Sequence, residues 1–422
     1  PLRRPQPQQR CHDDNGKNSI AAVNFDLQGL DDGTKFFSQM VVSSYEERER
    51  GHTGNYWSYL WGPLAANRAG PEAAAAFLKQ QRWFYDLNRK WDGSFPYQGG
   101  AGMGGGEHTY GNWDCTGAFI LAYTLPRNQL SMTGKGTREE NYVAGAQLDR
   151  LIEGGRGFSS WHMGVEPYLA KSKDQLLAHL HDWSPAVRHR AAVALAQKSG
   201  DPLPELLAML ESDNPYTRYG ACEAIGELKE KGAPAVPDLT AALEHDDLWT
   251  RIQACYALSS IGKPAKVSAH KLLRLAAEER KDDPREMTQR YLAFGLFYPG
   301  GALNMVGLLG RSIEGVDLEL LYPAVTKLLT NPDGRARSAV GSVYDKLSYE
   351  EIQSLLPDVM RAIEEPSPSG VMFSSGIRMA GLELLAKHRV AEGMALCIET
   401  MDIESWGKRH RIQRGLQILQ QY

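Results

Sequence analysis

The chain has 422 residues, 42% of them hydrophobic and 23% charged, with a formal net charge of −4 and a pI near 6.3. That length holds two or three ordinary domains, or one domain joined to a solenoid, and the composition is that of a globular protein. The charge gives no support to a general nucleic-acid or anionic-membrane role, and no apolar run approaches the roughly 18 to 20 residues that cross a bilayer.

The chain begins at Pro1, without a methionine or a signal-peptide pattern, and residues 1–10 read as a terminal extension lacking apolar periodicity. A cloned fragment or a processed product is the expectation, and both cytoplasm and periplasm remain compatible. Cys11, Cys115, Cys222, Cys255 and Cys397 are odd in number and scattered, unlike a disulfide framework or a zinc ribbon. A reducing compartment is favoured.

Helical periodicity predicts helices over 19–30, 34–48, 55–67 and 71–88, the last with Pro71 in its first turn. A loop over 90–112 follows, containing Trp91-Asp92-Gly93-Ser94-Phe95 and the glycine run 99–106. That run lacks the preceding strand and following Lys-Ser/Thr of a phosphate loop and reads as a turn. A helix over 114–124, a helix over 137–151 and a turn at 154–158 complete this region.

The odd-numbered helices of this region start alike. His12-Asp13-Asp14 precedes the first, Gly51-His52-Thr53-Gly54-Asn55-Tyr56-Trp57 opens the third, and Asn112-Trp113-Asp114-Cys115 opens the fifth. With the Trp91-to-Phe95 segment, this pattern resembles the α/α toroids of the terpenoid-cyclase and prenyltransferase class over residues 11–165. The resemblance implies a partial toroid-like layer whose inner helices gather their leading ends, and any chemistry, at one mouth. Unpaired amides at such ends favour anions.

On that arrangement His12, Asp13, Asp14, His52, Tyr56 and His108 are candidate catalytic residues. Asp and Asn at these positions read equally well as helix caps. The triplet His52, Asn55 and Tyr56 also resembles that of helical toroids that cleave acidic polysaccharides by β-elimination, and the resemblance implies Asn neutralising the uronate while His or Tyr moves the proton. Asn55, Trp57, Trp91 and Trp113 are candidates for the sugar contacts. Asp114, Cys115 and His162 are a candidate zinc set, like the Asp-x-Cys element and distant His of protein prenyltransferases. Here Asp and Cys are adjacent, about 100° apart on a helix, and a buried structural Cys115 beside a capping Asp114 is the competing reading.

From Lys173 a repeat begins. Arg188-x-x-Ala191-x-x-Ala194-Leu195 recurs as Arg218-x-x-Ala221-x-x-Ala224-Ile225 and Arg251-x-x-Ala254-x-x-Ala257-Leu258, each after an acidic or Pro-containing turn. First helices are predicted over 175–181, 203–210 and 235–243. The spacing holds one antiparallel helix pair, and the pattern resembles HEAT repeats. The resemblance implies a solenoid over 173–422, regular to about 262, whose aligned arginines bond internally. Weaker echoes occur at Arg290, Arg337, Arg378 and Arg411, between inserts such as 300–315 and 364–376. The basic stretch Lys408 to Arg414 reads as a solvated helix face.

The fold class expected is therefore all-α, a toroid-like layer followed by a HEAT-type solenoid. This combination is similar to uncharacterised bacterial proteins in which a toroid-like region precedes HEAT repeats. The function expected is a scaffold that binds a protein partner on the repeat surface, with no cofactor. The alternative is an enzyme acting at the inner-helix mouth on a polysaccharide or through zinc, with no nucleic-acid or membrane partner in either case.

Overall fold

The structure, a computed structural model, describes residues 15–46, 56–96, 114–157, 164–300, 306–403 and 408–422. Among these residues the regular elements are all helices, and the one β contact is an isolated antiparallel bridge between Pro96 and Asp114. None of these helices is long and apolar enough to cross a membrane. The chain divides into two compact units, residues 1–194 and 195–422.

The first unit contains α1 (Asn15–Leu27), α2 (Asp31–Val42), α3 (Tyr56–Ala66), α4 (Pro71–Asn88), α5 (Thr116–Thr124), α6 (Gly145–Gly155), α7 (Glu166–Leu169), α8 (Lys173–His179) and most of α9 (Pro185–Ala196). Helix α1 packs on both α2 and α3, and α3 also packs on α4 and α5. The shared core includes Ala22, Val23, Phe37, Val41, Leu64, Ala65 and Phe77, all buried. Full burial of each large apolar side chain contributes about 1.5–3 kcal/mol.

Arg68, wholly buried, fixes this core to its loops. Its Nη1 donates to the Leu64 and Met132 carbonyls, its Nη2 to the Ser131 carbonyl, and its Nε to Asp26 at 3.2 Å. The helix expected over 137–151 forms only from Gly145. Upstream the Val143 amide donates to the Ala69 carbonyl at 2.9 Å, which holds the backbone extended and away from a helical acceptor.

The second unit stacks the pairs α10 (Leu203–Leu210) with α11 (Pro215–Glu227), α12 (Val236–Ala242) with α13 (Leu248–Ile261), and α14 (Ala269–Ala277) with α15 (Met287–Phe297). It continues through α16 (Leu318–Leu329), α17 (Gly334–Val340), α18 (Tyr349–Ile352), α19 (Leu356–Glu364), α20 (Val371–Lys387), α21 (Glu392–Asp402) and α22 (Lys408–Leu419). Helix α13 packs on α11 and α15, α15 on α17, and α17 on α20; α16 bridges α14 and α19 in the other layer. This is the layered stacking of a solenoid, in which each pair buries its apolar stripe on its neighbours.

Local chemistry starts these helices, at Asn214 and Asp247 in the turns read as caps and at Asp317 and Asp333 beyond them. The side chains of Asn214, Asp247, Asp317 and Asp333 accept from the amides of Tyr216, Thr250, Glu319 and Arg335 at 2.8–3.0 Å. The repeated arginines bond inward. Arg188 donates to the carbonyls of Asp182 and Trp183, Arg218 to those of Ser212 and Asp213, and Arg251 to those of His245 and Asp246. In each case the acceptors lie six and five residues upstream, so the guanidinium closes the turn that precedes its own helix. Arg337 repeats the contact with the Asn331 carbonyl at 2.8 Å, and Arg378 reaches Ile363 and Glu364 across the longer insert. Arg290 instead pairs with Asp333 at 2.9 Å.

Candidate functional site

Two contacts fix the relative direction of α1 and α3. A Cβ at Gly62 of α3 would stand 3.9 Å from Ser19 Oγ of α1, while Asp26, further along α1, pairs with Arg68 just beyond α3. Both helices therefore advance the same way. The Tyr59 ring lies 5.2 Å from Phe119 on α5, and beyond the helix Asn67 and Arg68 bond the carbonyls of Thr133, Ser131 and Met132. Helix α5 is thus parallel to α3. The leading ends of α1, α3 and α5 face one side of the unit, with α2 and α4 returning beside them.

His12, Asp13, Asp14, His52, Asn55, His108, Trp113 and His162 lie outside the described residues. Tyr56 and Trp57 form the first turn of α3, and their side chains also lie outside the description. Trp91, Asp114 and Cys115 are described.

Asp114 Oδ1 accepts from the Thr116 amide at 2.9 Å and from Thr116 Oγ1 at 2.5 Å. These bonds hold its exposed carboxyl below the usual carboxylate range. The Cys115 amide donates to the Phe95 carbonyl at 2.8 Å, and its thiol, 1% exposed, is pushed up to about 11 by burial and then by the adjacent Asp114. A thiol so placed is protonated at neutral pH and is not a ready nucleophile. Among the described residues no group of three His, Cys, Asp or Glu side chains is arranged to hold a metal ion.

The Trp91-to-Phe95 segment is a tight turn. The Lys90 amide donates to the Ser94 carbonyl, Asp92 accepts from the Ser94 amide at 2.9 Å, and Gly93 takes a φ of 85°. Phe95 is buried and stacks on Phe119 with ring centroids 4.1 Å apart. Trp91 is left 97% exposed on the same turn. The segment therefore anchors one aromatic ring in the core and presents another to solvent.

Sequence reasoning missed two polar groups near this side. Asn18 on α1 and Ser58 on α3 are each 2% exposed, and Asn18 Nδ2 and Ser58 Oγ have no hydrogen-bond partner among the described residues. The signal was present as polar residues within otherwise small and apolar helix bodies. It also missed a polar cleft of about 330 Å³ lined by Gln147, Arg150, His181, Asp182, Trp183 and Ser184. There burial raises the Asp182 carboxyl, opposed by the hydrogen bond from the Ser184 amide at 2.7 Å and by Arg188.

Nearby, Arg190 is 1% exposed, donates to the carbonyls of Gly154, Arg156 and Gly164, and lies over the Tyr168 ring at 4.5 Å. It clamps the glycine turn at 154–157. That contact is structural and uses all of the guanidinium's donor edges.

Residues 4–134 match a family described as a domain of unknown function, DUF6288. Residues 173–235 and 203–293 match HEAT repeats. None of the curated proteins matches the chain. The all-α fold thus contains HEAT repeats over the segment where the arginine register was read, preceded by a region similar to that domain.

Proposed function

We propose that this chain is a scaffold that binds a protein partner on its helical-repeat unit. The observation that carries this reading is the surface of α21 and α22, two helices that pack on each other. Met394 and Ile398 are 41% and 57% exposed on the first, and Ile412 and Leu416 are 37% and 52% exposed on the second. An apolar surface rimmed by charge is a common protein-binding feature. Glu383 and Arg414, paired at 2.6 Å, and His410 supply part of that rim beside a cleft of about 560 Å³.

A photoreactive amino acid at position 416 tests this in cells that express the chain. One discrete adduct is expected, with its yield reduced about tenfold by Ile398→Glu. A missing adduct, or a yield that this substitution leaves unchanged, refutes the proposal.

A second reading is favoured by the parallel inner helices and the unpartnered Asn18 and Ser58. We infer an enzymatic pocket at their leading ends, with His12, Asp13, Asp14, His52, Tyr56 and His108 as acid–base candidates and Asn55, Trp57, Trp91 and Trp113 as sugar contacts. Asp114, Cys115 and His162 are its zinc candidates. Less than roughly 0.1 equivalent of zinc in purified protein ends the metal version. For the lyase version, His52→Ala and Tyr56→Ala abolish release of unsaturated sugars; unchanged turnover removes those roles.

A further inference from the structure

The insert after α15 interrupts the repeat, yet its described part is firmly placed. The Gly307, Leu308 and Leu309 amides donate to the carbonyls of Tyr298, Gly295 and Leu296 at 2.7–2.9 Å. These are carbonyls at the end of α15, which its own helix leaves without partners. Leu309 is wholly buried, and a Cβ at Gly307 would stand 2.5 Å from the Leu296 carbonyl carbon. Only glycine lets the strand of insert approach so closely.

This strap forms one wall of an open cavity of about 420 Å³ beside the turn that follows α13. Four cationic side chains line it, Lys229, Lys263, Lys266 and Arg311, together with Ser260 and Ser312. Lys229 has Glu227 at 3.9 Å, whereas Lys263, Lys266 and Arg311 have no ion pair among the described residues. The cluster is local, since the whole chain carries a net charge of −4. Three unpaired cations facing one concavity repel one another, and an anion seated among them relieves that repulsion.

The lining also includes Val306 and Leu308, so one wall is apolar. The volume exceeds what a bare tetrahedral oxyanion fills and falls in the range of small-molecule sites. We propose that this cavity binds a phosphoryl dianion, with Arg311 giving a planar, two-toothed contact, Lys263 and Lys266 giving point charges, and the serines giving hydroxyl donors. An organic group esterified to the phosphate lies along Val306 and Leu308.

Isothermal titration of the full chain at low salt and pH 7.5 tests the site, with inorganic phosphate and glucose 6-phosphate as separate probes. Saturable binding of one equivalent is expected, weakened about tenfold by Lys266→Ala and by Arg311→Ala and weakened by added sodium chloride. Comparable affinity for both probes identifies free phosphate as sufficient; at least tenfold tighter binding of the ester identifies a phosphate monoester. Both substituted side chains are at the surface, and unchanged circular dichroism separates lost binding from lost folding. Arg82→Ala, remote in sequence and exposed, leaves affinity unchanged. No saturable binding below about 10 mM, undiminished binding in both cavity variants, or equal weakening by Arg82→Ala overturns the proposal.

Discussion

Replacing Arg251 with alanine separates a structural arginine from a ligand-binding one. Its guanidinium, 2% exposed, donates Nη1 to the His245 and Asp246 carbonyls at 2.9 and 3.0 Å, and its Nη2 lies 3.2 Å from Asp282. Each charge-assisted bond to a buried acceptor contributes about 1.5–3 kcal/mol. The pair with Asp282 adds about 0–1 kcal/mol because that carboxylate is half exposed. Truncation also leaves two turn carbonyls without their donor, so a loss of about 3–5 kcal/mol is expected. With a urea slope of about 2–3 kcal/mol/M, the midpoint falls by about 1–2 M. Arg251→Lys recovers about half, since one ammonium lacks the fork that spans both carbonyls. Urea unfolding followed by circular dichroism, with hydrogen exchange on α13, measures this; a midpoint shift below about 0.3 M for Arg251→Ala refutes the reasoning.

Four further outcomes follow from single contacts. Asp247 caps α13; burial works against its ionised form, but bonds from Thr250 and Tyr219 and the charge of Arg218 outweigh it and hold its carboxyl low. A depressed carboxyl stabilises above its unfolded pKa, so Asp247→Ala costs about 1–2 kcal/mol at pH 7, and the gap between variant and parent closes as pH falls through the folded value. The Cys115 and Cys255 thiols, pushed up to about 11 and about 12 by burial, resist iodoacetamide at pH 8 in the folded chain and react once urea unfolds it, as peptide mass mapping shows. Gly307→Ala forces the strap off α15, and calorimetry records a stability loss of about 1–3 kcal/mol together with lost phosphate binding. Arg190→Ala releases the carbonyls of Gly154, Arg156 and Gly164, and limited proteolysis then cuts between residues 150 and 165 at least about tenfold faster.

The repeat was legible because each of its signals is local. An Asp or Asn cap, a first-turn proline and an arginine whose acceptors sit five and six residues upstream all fall within one short window of sequence. Arg68 and Arg190 carried no such signal: Arg68 reaches Ser131 and Met132, Arg190 reaches Gly154 and Gly164, and nothing near either residue names those partners. The misread helix over 137–151 failed for the same reason, since apolar residues at 143, 148 and 151 fit a helix until a distant carbonyl at Ala69 captures the Val143 amide. The repeated polar leads before α1, α3 and α5 were legible in the sequence, but most of them lie outside the described residues, and the parallel direction of these helices comes only from contacts such as Asp26 with Arg68. Trp91 and Phe95 were readable only as part of one loop, and the stacking on Phe119 tells the anchored ring from the free one.

The arginines and lysines of the second unit sort themselves by register, and that sorting bears on where this protein binds anything. A cation placed at the repeated position enters a turn whose carbonyls point inward, so Arg218, Arg251 and Arg337 each donate to carbonyls of the fold. Lys263, Lys266 and Arg311 occupy turns and an insert that the repeat does not dictate, and no carboxylate among the described residues pairs with them. Unclaimed charge costs little while water solvates it and attracts anions wherever a concavity gathers several such groups. The departures from the repeat after Gly262 are therefore informative in their own right: the same glycines that break helical periodicity over 300–315 allow the strap at 306–310 to dock on α15 and set Arg311 across from Lys266. An insert that merely lengthened a loop would leave the α15 carbonyls to water, and the Gly307→Ala experiment distinguishes that case because both stability and anion affinity fall together only if the strap builds the cavity.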